Sequence, residues 1–121
     1  MDSTTDRIRE AAAKADQRRA VIATDLAGTI VYWNETAAKI YGWSANEAIG
    51  RDVVEVTPTM MSRNEADGIM NALQSGGRWQ GAFMVRDRSG HPMIVEVEDV
   101  AIEHDGKIIG IVGMSRPKAA T

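Results

Sequence analysis

The sequence predicts one α+β domain in which a five-stranded antiparallel sheet carries several helices between its second and third strands. Three observations lead to this fold class. The chain has 121 residues, a length that suits a single hydrophobic core. Residues that cap or stop helices are concentrated between 34 and 77. Strand-like runs of β-branched and aromatic residues occupy 20–24 and 29–33 before this stretch, and 78–86, 93–102 and 107–115 after it.

Composition limits the class of protein. With 44% hydrophobic and 26% charged residues, the chain has the balance of an ordinary globular domain. No run approaches the roughly 18 apolar residues that suggest a membrane span, so we expect no membrane partner. The N-terminus has neither the basic start nor the apolar stretch of a secretory signal, so we expect a cytoplasmic location.

The absence of cysteine excludes several kinds of chemistry, namely disulfides, thiolate metal sites, iron–sulfur clusters and thiol nucleophiles. The formal charge is −3, and the 14 Lys and Arg residues are scattered rather than gathered in a stripe. Counterion release from a nucleic acid would therefore be small, and we expect no direct contact with DNA or RNA.

The N-terminal segment 1–19 is predicted to be a flanking helix, because residues 4–19 contain no Gly or Pro and are rich in good helix formers. Its apolar residues form a narrow stripe that includes Ile8, Ala12 and Ala15. Such a stripe either docks on its own domain or pairs with a second copy of the chain, and it is too short to establish a coiled coil. We predict a homodimer with these three residues as its contact.

The next elements are predicted to be a hairpin and a short helix. Residues 20–24 and 29–33 are separated by a turn that ends in Gly28, which supplies the positive φ that such turns need. Asn34 is a good N-cap, so it predicts a helix that begins after it and stops at Gly42.

Two capping boxes predict two more helices. Ser44 with Glu47 opens a single turn, and Ser62 with Glu65 opens a longer helix that ends at 76–77 with two glycines. Apolar residues recur along the longer helix at the spacing of one helical face, at Ala66, Ile69, Met70 and Leu73.

The last three strands are joined by turns at 87–90 and 104–106, the second with the Asp-Gly signal of a hairpin. The alternation of apolar residues places Phe83 on the inner face of strand 78–86, and Val97 and Asp99 on the inner face of strand 93–102.

Asp99 interrupts the apolar series on the inner face of strand 93–102. A regular strand would point its carboxylate inward, where it would need a ligand, an arginine or backbone donors. The alternative, which the sequence alone favours, is a bulge that turns Asp99 to solvent.

Several short motifs, in this order and spacing, resemble the PAS family of sensory domains. They read DLAGTI at 25–30, WN at 33–34, YGWS at 41–44, EAIGR at 47–51, GRWQG at 77–81 and RDRSG at 86–90. The resemblance covers residues 20–116. It implies a five-stranded antiparallel sheet with short helices and one longer helix over one face, preceded here by an N-terminal helix. This agrees with the order of elements predicted from the residues.

The resemblance further implies a pocket between the sheet and the longer helix, and an N-terminal helix near a dimer contact. We therefore place a candidate ligand pocket at Tyr41, Met61, Ile69, Leu73, Phe83, Val97, Asp99 and Met114. PAS domains typically continue with Asp-Ile-Thr where this sequence reads PKAAT. We accordingly divide the chain into a domain over 20–116 and a tail over 117–121, and we expect the tail to be a truncated exit to an output domain.

The cofactor is left unknown by the sequence. Light-sensing LOV members of the family carry a cysteine in the segment that matches 51–57, which has none here, so a cysteinyl-flavin photoadduct is excluded. Haem-binding members use an axial histidine, often on the longer helix, and 62–75 contains none. His91 and His104 lie beside predicted turns, where solvated side chains are expected, so haem is disfavoured and no metal site is predicted. Non-covalent FAD stays open, because flavin binding leaves no short signature in this family.

Two functional hypotheses follow. In the first, a small ligand binds in the internal pocket and its occupancy is relayed to an attached output domain, such as a histidine kinase of a two-component system. In the second, the domain is a ligand-free module for dimerisation or protein interaction. An enzyme lacks support, because no nucleophile triad, metal-ligand cluster or phosphate-binding glycine loop is present, and we predict none.

Overall fold

The computed structural model describes residues 3–59 and 62–118 of the chain. In these two stretches the helices are α1 (Ser3–Ala13), α2 (Glu35–Tyr41), α3 (Ala45–Ala48), α4 (Val53–Val56) and α5 (Arg63–Gly76). The strands are β1 (Ala20–Asp25), β2 (Ile30–Trp33), β3 (Arg78–Arg86), β4 (Pro92–His104) and β5 (Lys107–Pro117). None of the helices in this part of the chain is long and apolar enough to cross a membrane.

The strands form one sheet in the order β2-β1-β5-β4-β3, and every neighbouring pair is antiparallel. The predicted fold class is therefore confirmed. One face of the sheet packs against α2, α3 and α4 around Trp33, Tyr41 and Val56. The other face packs against α1, with Val21 and Val112 at its centre. The sheet is thus the middle layer, with a hydrophobic cluster on each side.

Helix α1 is shorter than predicted, because it ends at Ala13 and not at Arg19. The side chain of Asp16 accepts a hydrogen bond of 3.0 Å from the backbone N–H of Arg18, which holds the chain in a turn. The Gln17 side chain donates to the carbonyl oxygen of Ala12 at 2.9 Å and so satisfies part of the helix end. The helix propensity of residues 14–19 did not predict that side-chain hydrogen bonds to the backbone would end the helix early.

The apolar stripe of α1 docks on its own domain. Ile8 and Ala12 are fully buried, and Ala15 packs beside them. The close approach depends on Gly110 of β5, where a Cβ atom would lie 2.6 Å from both Cδ1 of Ile8 and the backbone oxygen of Thr24. The prediction that Ile8 and Ala12 form a dimer contact is therefore wrong, because the sheet already covers them. The predicted contact at Ala15, which is only partly buried, and the homodimer itself stay predictions.

The predicted capping signals define the helices between the two parts of the sheet. Ser44 and Ser62 each form a reciprocal capping box with the glutamate three residues on. Gly42 adopts the left-handed conformation at the end of α2. Helix α4 was not predicted, although Asp52 caps it by accepting a hydrogen bond of 2.8 Å from the backbone N–H of Val54.

The inner face of α5 is narrower than its sequence pattern indicates. Leu73 is buried and Ile69 half-buried, whereas Ala66 and Met70 are exposed. Helix α5 packs mainly against β3 and β4, where one row of its side chains is enough to cover the sheet.

Strand β4 is regular at Asp99, which pairs with Trp79 on one side and Gly113 on the other. The irregularity in its pairing with β5 falls between Ile102 and Glu103. The bulge that would turn Asp99 to solvent is therefore absent, and that interpretation of the sequence is wrong. Asp99 keeps the same face as Val97.

Candidate functional site

A cavity of about 240 Å³ lies between the sheet and helices α4 and α5. Its wall is mostly apolar and comes from β1, α2, α4, α5, β3, β4 and β5. Six polar residues also line it: Thr24, Tyr41, Thr57, Thr59, Asp99 and Ser115. A concave, largely apolar space with a few polar groups is the usual form of a small-molecule site.

The structure brings most of the predicted pocket residues together. Those that line the cavity are Tyr41, Ile69, Leu73, Phe83, Val97 and Asp99. Met61 lies outside the described residues. Met114 is misplaced in the prediction, since it packs with α1 on the opposite face of the sheet. Its neighbours Gly113 and Ser115 face the cavity, because successive residues of a strand point to opposite sides.

Of the described residues that line the cavity, Asp99 is the one with a carboxylate. Among the described residues, no side chain or backbone group donates a hydrogen bond to it, and the residue is mostly buried. Burial away from water raises the pKa of Asp99 from its usual 3.8 to about 7. Gly113 makes room for the carboxylate, because a Cβ atom there would lie 2.8 Å from Oδ1 of Asp99.

Tyr41 and Ser115 provide the second polar feature. Their hydroxyl oxygens are 2.7 Å apart and share a buried hydrogen bond. Burial raises the pKa of the Tyr41 phenol, and the charge of the nearby Asp99 adds to this rise. The hydrogen bond with Ser115 acts in the opposite direction and lowers the pKa. Ser115 was not predicted as a site residue. Its position two residues after Gly113 on the same strand face was the signal that could have identified it.

The cavity opens between α4 and α5. Val54 on α4 and Met70 on α5 both line it, although their side chains are largely exposed. Val53 and Val54 were missed by the sequence analysis, because no helix was predicted at that position. The exposed apolar rim indicates the route by which a ligand would enter.

The described residues contain no cluster of three or more His, Asp or Glu side chains that could hold a metal ion. His91 and His104 are not among the residues that line the cavity, and His91 is exposed. The chain also has no cysteine, so the cavity wall offers neither a thiolate nor an imidazole ligand among these residues. What it offers is hydrophobic contact, hydroxyl groups and one carboxylate.

The solved structures that are similar to this chain include a PAS domain and a LOV domain. A PAS domain from Colwellia psychrerythraea is 27% identical, with a TM-score of 0.79 over 90% of this chain and 95% of that one. The LOV domain of the blue-light photoreceptor Aureochrome1, in its dark structure, is 18% identical, with a TM-score of 0.72 over 85% of this chain and 78% of that one. The LOV likeness concerns the fold alone.

A curated relative with a similar segment is a probable serine/threonine-protein kinase from Dictyostelium discoideum, which is 23% identical over 104 residues. The match takes in 86% of this chain but only 6% of the kinase. The family model described as the PAS fold matches residues 10–118, nearly the whole chain. The chain belongs to the PAS family of sensory domains.

Proposed function

We propose that this domain binds a small, largely apolar ligand in the cavity and relays its presence to an attached output domain, such as a histidine kinase. The observation that carries the proposal is the apolar cavity, whose wall includes the carboxylate of Asp99. Among the described residues this carboxylate has no hydrogen-bond or ion-pair partner. A cavity of about 150 Å³ accommodates benzene, and drug-sized ligands occupy roughly 300–1,000 Å³. The volume of about 240 Å³ therefore suits a ligand of one ring or a short chain.

The relay is proposed to run through β5. This strand gives Ile111, Gly113 and Ser115 to the cavity, and Val112 and Met114 to the cluster under α1. A ligand that displaces β5 must also change the packing of α1, because interiors are close-packed and transmit small shifts. The same strand leads to the C-terminal end of the domain, where an output domain would be attached.

Occupancy is tested by native mass spectrometry of the purified chain, compared with its denatured mass and its visible absorption spectrum. Added mass that is lost on denaturation supports the proposal, and the spectrum distinguishes a non-covalent flavin from a colourless metabolite. Ile69→Trp should fill part of the cavity and reduce occupancy, whereas Asn71→Trp, on the exposed side of the same helix, should not. Equal occupancy in both variants would contradict binding at this cavity.

The relay is tested by hydrogen exchange. Ligand should change the exchange rates of backbone amides in α1 as well as in β5. If the ligand protects only residues of the cavity wall, the proposed route to α1 is wrong.

A second candidate function is a ligand-free interaction module. Met84 and Ile94 face each other across β3 and β4 and are 36% and 47% exposed. They lie on the face of the sheet that α1 covers elsewhere, and apolar residues left exposed together are typical of contact surfaces. A second copy of the chain could bury them around a twofold axis. Sedimentation of Ile94→Asp, with Ile49→Asp as a control at an exposed site on another element, tests this candidate.

A further inference from the structure

The charge of the cavity wall is unbalanced. Among the described residues that line it, Asp99 is the one side chain that is charged in its ordinary state, and no Lys, Arg or His is present. A carboxylate removed from water is normally paired with a cation or with several hydrogen-bond donors. The part of the chain that the structure describes supplies neither at this position.

The groups around Asp99 do not compensate for it. From β5, Gly113 supplies space and Ser115 has its hydroxyl engaged with Tyr41. From α5, the lining side chains are apolar, and from β3 the lining side chain is Phe83. Tyr41 of α2 is the one titratable neighbour, and its raised pKa keeps it uncharged at neutral pH. Among the described residues no group supplies a positive charge to this carboxylate, so a cation that pairs with it would come from the ligand.

Two aromatic side chains, Tyr41 and Phe83, also line the cavity. Aromatic faces attract cations, and this attraction is strongest when the cation is removed from water. We infer that the ligand of this cavity is a small apolar amine that binds as its ammonium form, with the ammonium group on the Asp99 carboxylate and its hydrocarbon body between α5 and the sheet. This inference rests on the proposed function and assigns the chemical class of its ligand.

Amine binding then depends on pH with a definite sign. The carboxylate is present above its pKa of about 7, so the affinity for an amine rises as the pH increases from 6 to 8. A neutral ligand that accepts a hydrogen bond from the protonated carboxyl group would show the opposite dependence. The direction of the pH effect therefore separates an amine from a carbonyl compound.

The experiment measures the binding of three probes to the full chain by calorimetry at pH 6 and pH 8. The probes are 2-phenylethylamine, propylbenzene, which replaces the ammonium by a methyl group, and acetophenone, which offers a carbonyl. At pH 8 the amine should bind at least about tenfold more tightly than propylbenzene, the order expected for a hydrogen bond to a charged group. Asp99→Asn should abolish this preference, and Glu55→Gln, an exposed carboxylate on α4, should leave it unchanged.

The outcomes separate the inference from the proposed function. If propylbenzene binds as tightly as the amine, or if acetophenone is preferred and binds better at pH 6, the amine inference is overturned while the cavity remains a ligand site. If the preference for the amine survives in Asp99→Asn, the ammonium does not lie on Asp99 and the inference is also overturned. If no probe binds the folded wild-type chain, both the inference and the proposed ligand site fail. The comparison of probes in the wild type does not depend on the folding of any variant.

Discussion

The hydroxyl groups of Tyr41 and Ser115 lie 2.7 Å apart in the interior and join the end of α2 to the end of β5. The two residues are 74 positions apart in the sequence and both line the cavity. The hydrogen bond therefore ties a cavity-lining helix to the strand that also contacts α1.

This hydrogen bond predicts that mutations of Tyr41 and Ser115 have non-additive effects on the free energy of unfolding. Tyr41→Phe leaves the Ser115 hydroxyl without its partner and should lower the free energy of unfolding by roughly 1–3 kcal/mol. The double variant Tyr41→Phe with Ser115→Ala removes both groups, so its loss should be smaller than the sum of the two single losses. Denaturant unfolding of the three variants measures this coupling, and strict additivity would contradict it.

Asp99 predicts an unusual dependence of stability on pH. Its pKa is about 7 in the folded chain and close to the ordinary 3.8 when unfolded, so the folded state binds the proton more tightly. The carboxyl group therefore contributes stability below about pH 4 that is lost as the pH rises to about 7. In Asp99→Asn this loss is absent, and the variant should be more stable than the wild type at pH 8, by up to about 4 kcal/mol.

Thermal unfolding of wild type and Asp99→Asn between pH 4 and pH 8 checks this prediction. The difference between the two curves isolates Asp99, because the other shifted carboxylates are present in both proteins. These include Glu47, whose pKa is lowered by hydrogen bonds from Ser44 and Arg88. They also include Glu98, whose pKa is lowered by hydrogen bonds from Arg78 and Arg19. Parallel curves across this range would contradict the raised pKa.

Gly110 is predicted to be intolerant of any side chain. In Gly110→Ala the new methyl group would meet the side chain of Ile8 and the backbone of Thr24, so α1 or the strand must shift. We expect a loss of roughly 1–3 kcal/mol in the free energy of unfolding, the usual cost of overpacking. Gly68→Ala, in the open on α5, should instead stabilise the chain by up to about 1 kcal/mol. Similar values for the two variants would argue against the close docking of α1.

Ile8 is predicted to stabilise the single chain and not an association between chains. Ile8→Ala removes a fully buried side chain and should cost roughly 2 kcal/mol or more, whereas Glu10→Ala on the exposed side of α1 should cost little. Chemical denaturation measures the stability, and light scattering measures the association state. A dimer that dissociates in Ile8→Ala, without loss of monomer stability, would favour the dimer contact that the sequence predicted.

Features that depend on neighbouring residues were predictable. The turn at Gly28, the N-cap at Asn34 and the capping boxes at Ser44 and Ser62 each satisfy backbone groups within a few residues, so their sequence signals determine the elements that follow. Strand β3 was predicted with the bounds that the structure has. The alternation of apolar residues in β3 and β4 also placed Phe83 and Val97 on one face, and both line the cavity.

Features that depend on distant partners were decided by the tertiary structure. Whether Asp99 points inward depends on an unbroken register with Gly113, and whether Met114 reaches the cavity depends on the phase of β5 relative to β4. The docking of α1 through Ile8 depends on the bare backbone of Gly110. By itself, the sequence determined the five strands, their order along the chain, the helices that begin at capping residues 34, 44 and 62, and the absence of thiol chemistry. The tertiary structure decided which face each strand presents to the cavity, because a shift of one residue in register exchanges the two faces.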